Sequence, residues 1–173
     1  MKEIVWVVGP SGVGKETLCR SITDNQNREL VKQLGWTEFR LGISDLSIAL
    51  VPRGHDKEKK DDRDRITDEL AAKQDVFDIV LLKWQALDSL KGRVKAIGAV
   101  FPDATTRALV LVADGEAIKQ RHLEREDGWE PSEGWDNQLG RERDIIKEAL
   151  GDFQGISYID TNNGYDLTKV PTS

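Results

Sequence analysis

Short, unbroken apolar runs alternate along this chain with segments whose apolar residues recur every three to four positions. Ile4 to Val8 is continuously apolar and stops at Gly9, which suits a strand buried on both faces of a parallel sheet. Leu18 and Ile22, then Leu30, Val31 and Leu34, repeat at helical spacing before Gly35 ends the segment. Thr37 to Ile43 reads as a second strand, and Ile66 and Leu70 mark a helix that opens near Asp61 and Asp62. A third strand is expected over Val76 to Leu82, an apolar run broken only by Asp78. Leu87, Leu90, Val94 and Ile97 predict a helix, Leu109 to Ala113 a fourth strand, and Glu116 to Glu126 the next helix. A loop rich in Gly, Pro and Trp then precedes a helix over Leu139 to Leu150, and Ile156 to Ile159 supplies a fifth strand.

Strands alternating with helices imply right-handed crossovers and a mostly parallel sheet with helices on both faces. The expected architecture is therefore a three-layer α/β/α sandwich around five strands, with ligands at the carboxyl ends of the strands. At 173 residues the chain fits one domain, residues 1–173, with no internal repeat and no low-complexity linker.

Composition adds boundaries to that picture. An apolar share of 38% and a charged share of 32% lie outside the disordered range. The net charge of −6 argues against a broad basic face for duplex DNA, yet it leaves room for a local basic groove, so nucleic acid stays possible as a substrate. Cys19 is the single cysteine, which excludes a disulfide framework or a cysteine metal cluster. The start of the chain lacks the apolar core of a secretory signal, and no apolar run approaches the length of a membrane span. A cytoplasmic protein with no membrane partner is the expectation.

The chemistry concentrates in Gly9-Pro10-Ser11-Gly12-Val13-Gly14-Lys15-Glu16-Thr17, which follows a strand and opens a helix. Glycines let the backbone curl so that successive amides face an anion, the helix start adds its positive dipole end, and Lys15 neutralises phosphate charge. Gly9, Ser11, Gly12, Val13, Gly14, Lys15, Glu16 and Thr17 together form a phosphate cradle. Glu16 stands where most loops of this type place a magnesium-ligating hydroxyl, and Thr17 comes one residue later. Glu16 either holds a metal through water or is an exposed acid at a helix start, where a negative side chain is favourable anyway.

The Gly-Lys-x-Thr ending at Gly14-Lys15-Glu16-Thr17 resembles the loops of nucleoside monophosphate kinases, and Gly9 to Lys15 resembles those of guanylate kinases. As an order of elements most of the chain resembles P-loop kinases of the nucleotide and small-molecule type, the group that contains adenylate, gluconate and shikimate kinases. That resemblance implies ATP and Mg2+ as cofactors and a mobile lid, here about residues 127–137. It also implies arginines that reach the nucleotide from the helices on either side of the lid. Arg121 and Arg125 lie four apart on one helical face, and Arg141 and Arg143 follow the lid; each either stabilises the migrating phosphoryl group or pairs with surface acids such as Glu124, Glu126 and Glu142. Trp129 and Trp135 either close the lid over substrate or anchor it. Asp160-Thr161-Asn162-Asn163-Gly164 resembles the loop that borders adenine in this group, with Asn162 the expected contact, and it is also an ordinary turn sequence.

The acceptor side is less specific. Asp45 is the expected base for a hydroxyl acceptor, or else the cap of a short helix, and Arg53 is the expected anchor for an acceptor phosphate, with Arg40 weaker. These fall in an acceptor segment of about residues 44–65 that ends in a charged run and contains His55; neither His55 nor His122 has the neighbours of a metal ligand. After the third strand, where the resemblance leads one to expect a metal-binding aspartate, stands Lys83-Trp84-Gln85. Lys83 can contact phosphate or an acceptor, and Trp84 either stacks on an acceptor ring or packs inward. The metal ligands stay unassigned. The acceptor segments typical of guanylate and adenylate kinases are missing.

The combined expectation is an ATP-dependent kinase acting on a hydroxyl of a nucleoside, nucleotide, nucleic acid or other polar acceptor. Its rivals are a nucleoside monophosphate kinase and a nucleotide-binding regulatory switch with little turnover.

Overall fold

The computed structural model describes residues 1–44, 62–85, 90–125 and 128–168. Asp45, Arg53 and His55 lie outside the described residues. The elements run β1 (Glu3–Gly9), α1 (Lys15–Thr23), α2 (Arg28–Gln33), β2 (Leu41–Ile43), α3 (Asp62–Lys73), β3 (Ile79–Gln85), α4 (Leu90–Val100), β4 (Thr105–Val112), α5 (Gly115–Arg125), α6 (Trp135–Ala149), β5 (Gly155–Asp160) and β6 (Asp166–Thr168).

They form one sheet in the order β2-β3-β1-β4-β5-β6. The first five strands in that order are parallel, and β6 joins β5 antiparallel. The expected three-layer α/β/α sandwich is therefore present, but with six strands rather than five among the described residues. β6 is only three residues long and reads Asp-Leu-Thr, so it carries no apolar run to betray it.

Because side chains alternate faces along a strand, β1 and β3 feed two separate cores. Ile4, Trp6, Val8, Val80, Leu82 and Trp84 face α3, α4 and α6, meeting Ile66, Leu70, Val94, Ile97 and Ile146. Val5, Val7, Ile79 and Leu81 face the opposite way, onto Leu18, Cys19 and Ile22 of α1, Leu30 of α2 and Ile118 of α5. Both faces are covered, which is why these strands are apolar without alternation.

β3 begins three residues later than the apolar run suggests. The Val76 and Phe77 amides donate to the Lys73 carbonyl at 3.1 and 3.0 Å, so these two residues complete the turn after α3, and Val76 is 53% exposed. At its other end the strand extends through Lys83 and Trp84 to Gln85, which pair with Val7, Val8 and Gly9 of β1. Parity then sends the Trp84 ring inward, where it is 1% exposed and packs edge-on against Trp6 with ring centroids 5.4 Å apart. Of the two readings of Trp84, stacking on an acceptor is overturned and inward packing holds. β2 is likewise shorter than expected, because the Phe39 amide turns back to the Trp36 carbonyl at 3.1 Å before the strand starts.

Candidate active site

β1 ends at Gly9 between β3 and β4, and the chain curls through Gly12 (φ 82°) and Gly14 (φ 102°) before Lys15 opens α1. Both angles are in the left-handed region that glycine enters without steric cost. A Cβ on Gly12 would meet His122 Nε2 at 2.6 Å, and one on Gly9 would meet the Leu111 carbonyl oxygen at 2.9 Å. The loop is thus held tightly by β4 and α5.

Its inner side is fastened by α5 and by the residue that follows β5. The Thr161 hydroxyl, buried, donates to the Val13 carbonyl at 2.9 Å. Arg121 donates to the same carbonyl at 3.2 Å, to Thr161 Oγ1 at 3.2 Å and to the Thr161 carbonyl. Neither Thr161 nor this staple is evident from the sequence, since a threonine in a turn needs no such role.

Lys15 is buried, and its Nζ donates to the carbonyls of Gly9 at 2.6 Å and Pro10 at 3.0 Å. Burial lowers its pKa from 10.5 to about 8, opposed by the negative charge of Glu142, with the Lys83 charge acting in the same direction as burial. Glu142 approaches because the Ser11 amide donates to its Oε2 at 3.2 Å. Gln138, one turn earlier on α6, donates to the other carboxylate oxygen at 3.4 Å.

The loop faces a cleft of about 980 Å3. Ser11 to Thr17 form one wall, and Lys83, Arg121, Arg125, Thr161 and Tyr165 contribute to the others. Of the sequence candidates, the structure therefore brings Lys15, Lys83, Arg121 and Arg125 together at the carboxyl ends of the strands. Tyr165 is an addition: burial raises its pKa, while a hydrogen bond with Thr17 and the Arg121 charge oppose that rise. Arg141 is exposed on α6 and is not among the residues lining the cleft. Asn162 is occupied structurally, its Oδ1 accepting from the Asp114 amide at 2.9 Å.

Glu16 points to the outer rim. Its carboxylate accepts from Arg20 at 3.0 and 3.2 Å and lies 3.7 Å from Lys83 Nζ; the Arg20 hydrogen bond and then the Lys83 charge lower its pKa. No group of three or more metal-ligating side chains occurs among the described residues. Among the described residues this donor set fits a metal that is carried by the nucleotide's own phosphates, with Glu16 a carboxylate on the cleft wall.

The segment 128–137 is anchored by its aromatics. Trp129 stacks on His122 at 4.9 Å with an interplanar angle of 17°, and Trp135 meets Trp129 edge-on at 6.3 Å. His122 thereby joins this segment to the glycine loop, a role that no spacing in the sequence announces.

No protein-family model matches the chain, and no curated protein matches it. Among solved structures, the chain is similar to a sugar kinase from Janibacter sp. HTCC2649 at 22% identity and a TM-score of 0.53, with 94% of this chain and 87% of that one covered. It is also similar to the YorR protein of Bacillus subtilis, solved in complex with phosphorylated GDP, at 15% identity and a TM-score of 0.54, covering 92% and 86%. The chain shares the P-loop kinase-type fold of these structures. Among the described residues no helix is long and apolar enough to cross a membrane.

Proposed function

We propose that the protein is an ATP-dependent kinase that moves the terminal phosphoryl group to a hydroxyl of a nucleoside, nucleotide, nucleic acid or other polar acceptor. The observation that carries this reading is the convergence of Lys15, Arg121, Arg125 and Lys83 on one cleft in front of a glycine loop at a helix start. Phosphoryl transfer needs little covalent help from a protein and much positive charge around the migrating group. The similar structures support both halves of the acceptor description, one being a sugar kinase and the other holding phosphorylated GDP.

In this reading the loop amides and Lys15 take the outer phosphates, Lys15 exchanging the Gly9 and Pro10 carbonyls for phosphate oxygens. Arg121 is already fixed by the loop and borders the nucleotide, while Arg125, exposed at the mouth, supplies charge to the transferring group. Magnesium arriving on the nucleotide would supply further charge neutralisation, and Glu16, on the cleft wall, would hold it through water. Asp45 takes the proton as the acceptor oxygen bonds the terminal phosphorus and the bond to the bridging oxygen breaks, releasing ADP. Arg53 anchors an acceptor that carries a phosphate, and Lys83 lines the acceptor's path. The lid, about residues 127–137, excludes water.

The test is transfer of labelled terminal phosphate from ATP to a panel of nucleosides, nucleotides, nucleic acids and small polar alcohols. A labelled product that is lost with Lys15→Ala is expected; tight ATP binding without any product would sink the kinase and favour a switch.

A further inference from the structure

A glycine loop at a helix start, with a lysine beside it, attracts whatever negative group is within reach. In this protein that group is a side chain of the same chain. The carboxylate of Glu142 accepts the Ser11 amide at 3.2 Å, and its charge is the largest influence holding the Lys15 pKa up against burial. The approach is built rather than incidental. Gln138 steadies the second carboxylate oxygen at 3.4 Å, and α6 itself is seated by Leu139 and Ile146, both buried in the two cores. The Ser11 contact spans 131 residues of sequence, so it exists only because the fold sets α6 across the loop.

We propose that Glu142 is a resident anion that occupies the phosphate loop at Ser11 when no nucleotide is bound, so that phosphate must displace it and nucleotide affinity is set by this competition. This rests on the loop's being a phosphate cradle. Two like charges cannot share one amide, so phosphate entry expels the carboxylate and frees α6 from the loop. α6 begins with Trp135, which packs on Trp129 of the lid. The displaced carboxylate and the Trp135 contact thus sit on one helix.

The experiment is equilibrium binding of ATP, ADP and pyrophosphate to the full chain and to Glu142→Ala, Glu142→Gln and Glu148→Ala. Each is paired with a thermal melt of the unliganded protein. Glu148 is an exposed acid on the same helix and controls for net charge. Glu142→Ala is expected to bind about tenfold more tightly, the worth of roughly one charge-assisted hydrogen bond. Its unliganded form should melt earlier. Glu142→Gln, nearly isosteric and able to keep its Gln138 contact, should gain most of the same affinity, and Glu148→Ala should stay within twofold of the parent, an estimate of about the size expected for a remote surface charge. A parent protein that binds nucleotide no more weakly than both Glu142 variants overturns the proposal and leaves the kinase reading standing. If none of the four proteins binds any of the three probes, the phosphate cradle and the proposal fall together.

Discussion

Nucleotide binding should draw a proton from solution onto Lys15, and pH is the perturbation that exposes it. In the unliganded protein the ammonium is buried against two carbonyls and its pKa is lowered to about 8. A phosphate beside it favours the charged form and lifts the pKa back toward the ordinary value of 10.5. Below pH 8 the lysine is charged before and after binding, so little proton moves. Above pH 8 the unliganded lysine is mostly neutral, and binding must recharge it. With a pKa of about 8, uptake is about 0.1 proton at pH 7, about 0.5 at pH 8 and about 0.9 at pH 9, and affinity falls about tenfold between pH 7 and pH 9, or ~1.4 kcal/mol. Neighbouring groups do not mimic this window: burial pushes the Cys19 thiol up to about 12, Glu16 is held below its usual range by Arg20 and Lys83, and Tyr165 is raised by burial. Isothermal calorimetry at pH 8 in two buffers of different ionisation enthalpy measures the uptake directly. Lys15→Met, titrated at the higher concentration its weaker binding needs, should abolish the difference between buffers. Equal heats in both buffers, or an affinity flat from pH 7 to pH 9, would refute the claim that burial has lowered the lysine. Removing the Glu142 charge takes away an influence that raises the Lys15 pKa, so in Glu142→Gln the whole uptake curve should shift to lower pH.

Four substitutions and one control test the rest of the structure. Gly12→Ala forces a side chain into positive φ and onto His122, whereas Gly35→Ala meets the same backbone strain at φ 76° with no neighbour within 4 Å; both should lose about 1–2 kcal/mol in denaturant melts from the backbone alone. Gly12→Ala should lose more than Gly35→Ala, and it alone should impair nucleotide binding. Trp84→Ala removes a buried ring from the core and should cost about 3–5 kcal/mol of stability. An acceptor dependence that moves without any loss of stability would return Trp84 to the substrate. Arg121→Ala breaks the staple on Val13 and Thr161 and should cost about 1.5–3 kcal/mol as well as nucleotide affinity. Arg125→Ala, at an exposed position, should leave the melt within about 0.5 kcal/mol and lower the transfer rate by about 100-fold.

The loop was legible because its chemistry is local. Nine consecutive residues carry the glycine angles, the lysine and the helix start, and no distant partner is needed to recognise them. The order of elements was legible for a similar reason: strands covered on both faces must be continuously apolar, and the helices between them must repeat every three to four positions. Boundaries were a different matter. Val76 and Phe77 are as apolar as the strand they precede, so hydrophobicity alone could not separate the turn after α3 from β3.

That three-residue error had a functional consequence out of proportion to its size. A strand ending at Leu82 leaves Lys83 and Trp84 both in a loop at the cleft, with either free to meet substrate. A strand running through Gln85 obliges them to point to opposite faces, so that one is a cleft cation and the other a core aromatic. Glu142 and His122 escaped notice for the converse reason. Each is an ordinary surface-helix residue by composition, and each acquires its role from the loop it faces 131 and 110 positions away, respectively, to Ser11 and Gly12. In this fold the glycine loop is contiguous in sequence, and Arg121, His122 and Glu142, which touch it, come from α5 and α6. Changing the helices while leaving Gly9 to Thr17 untouched should therefore retune nucleotide affinity without erasing the capacity to bind, which is why Glu142, and not the loop, is the position at which affinity is expected to rise.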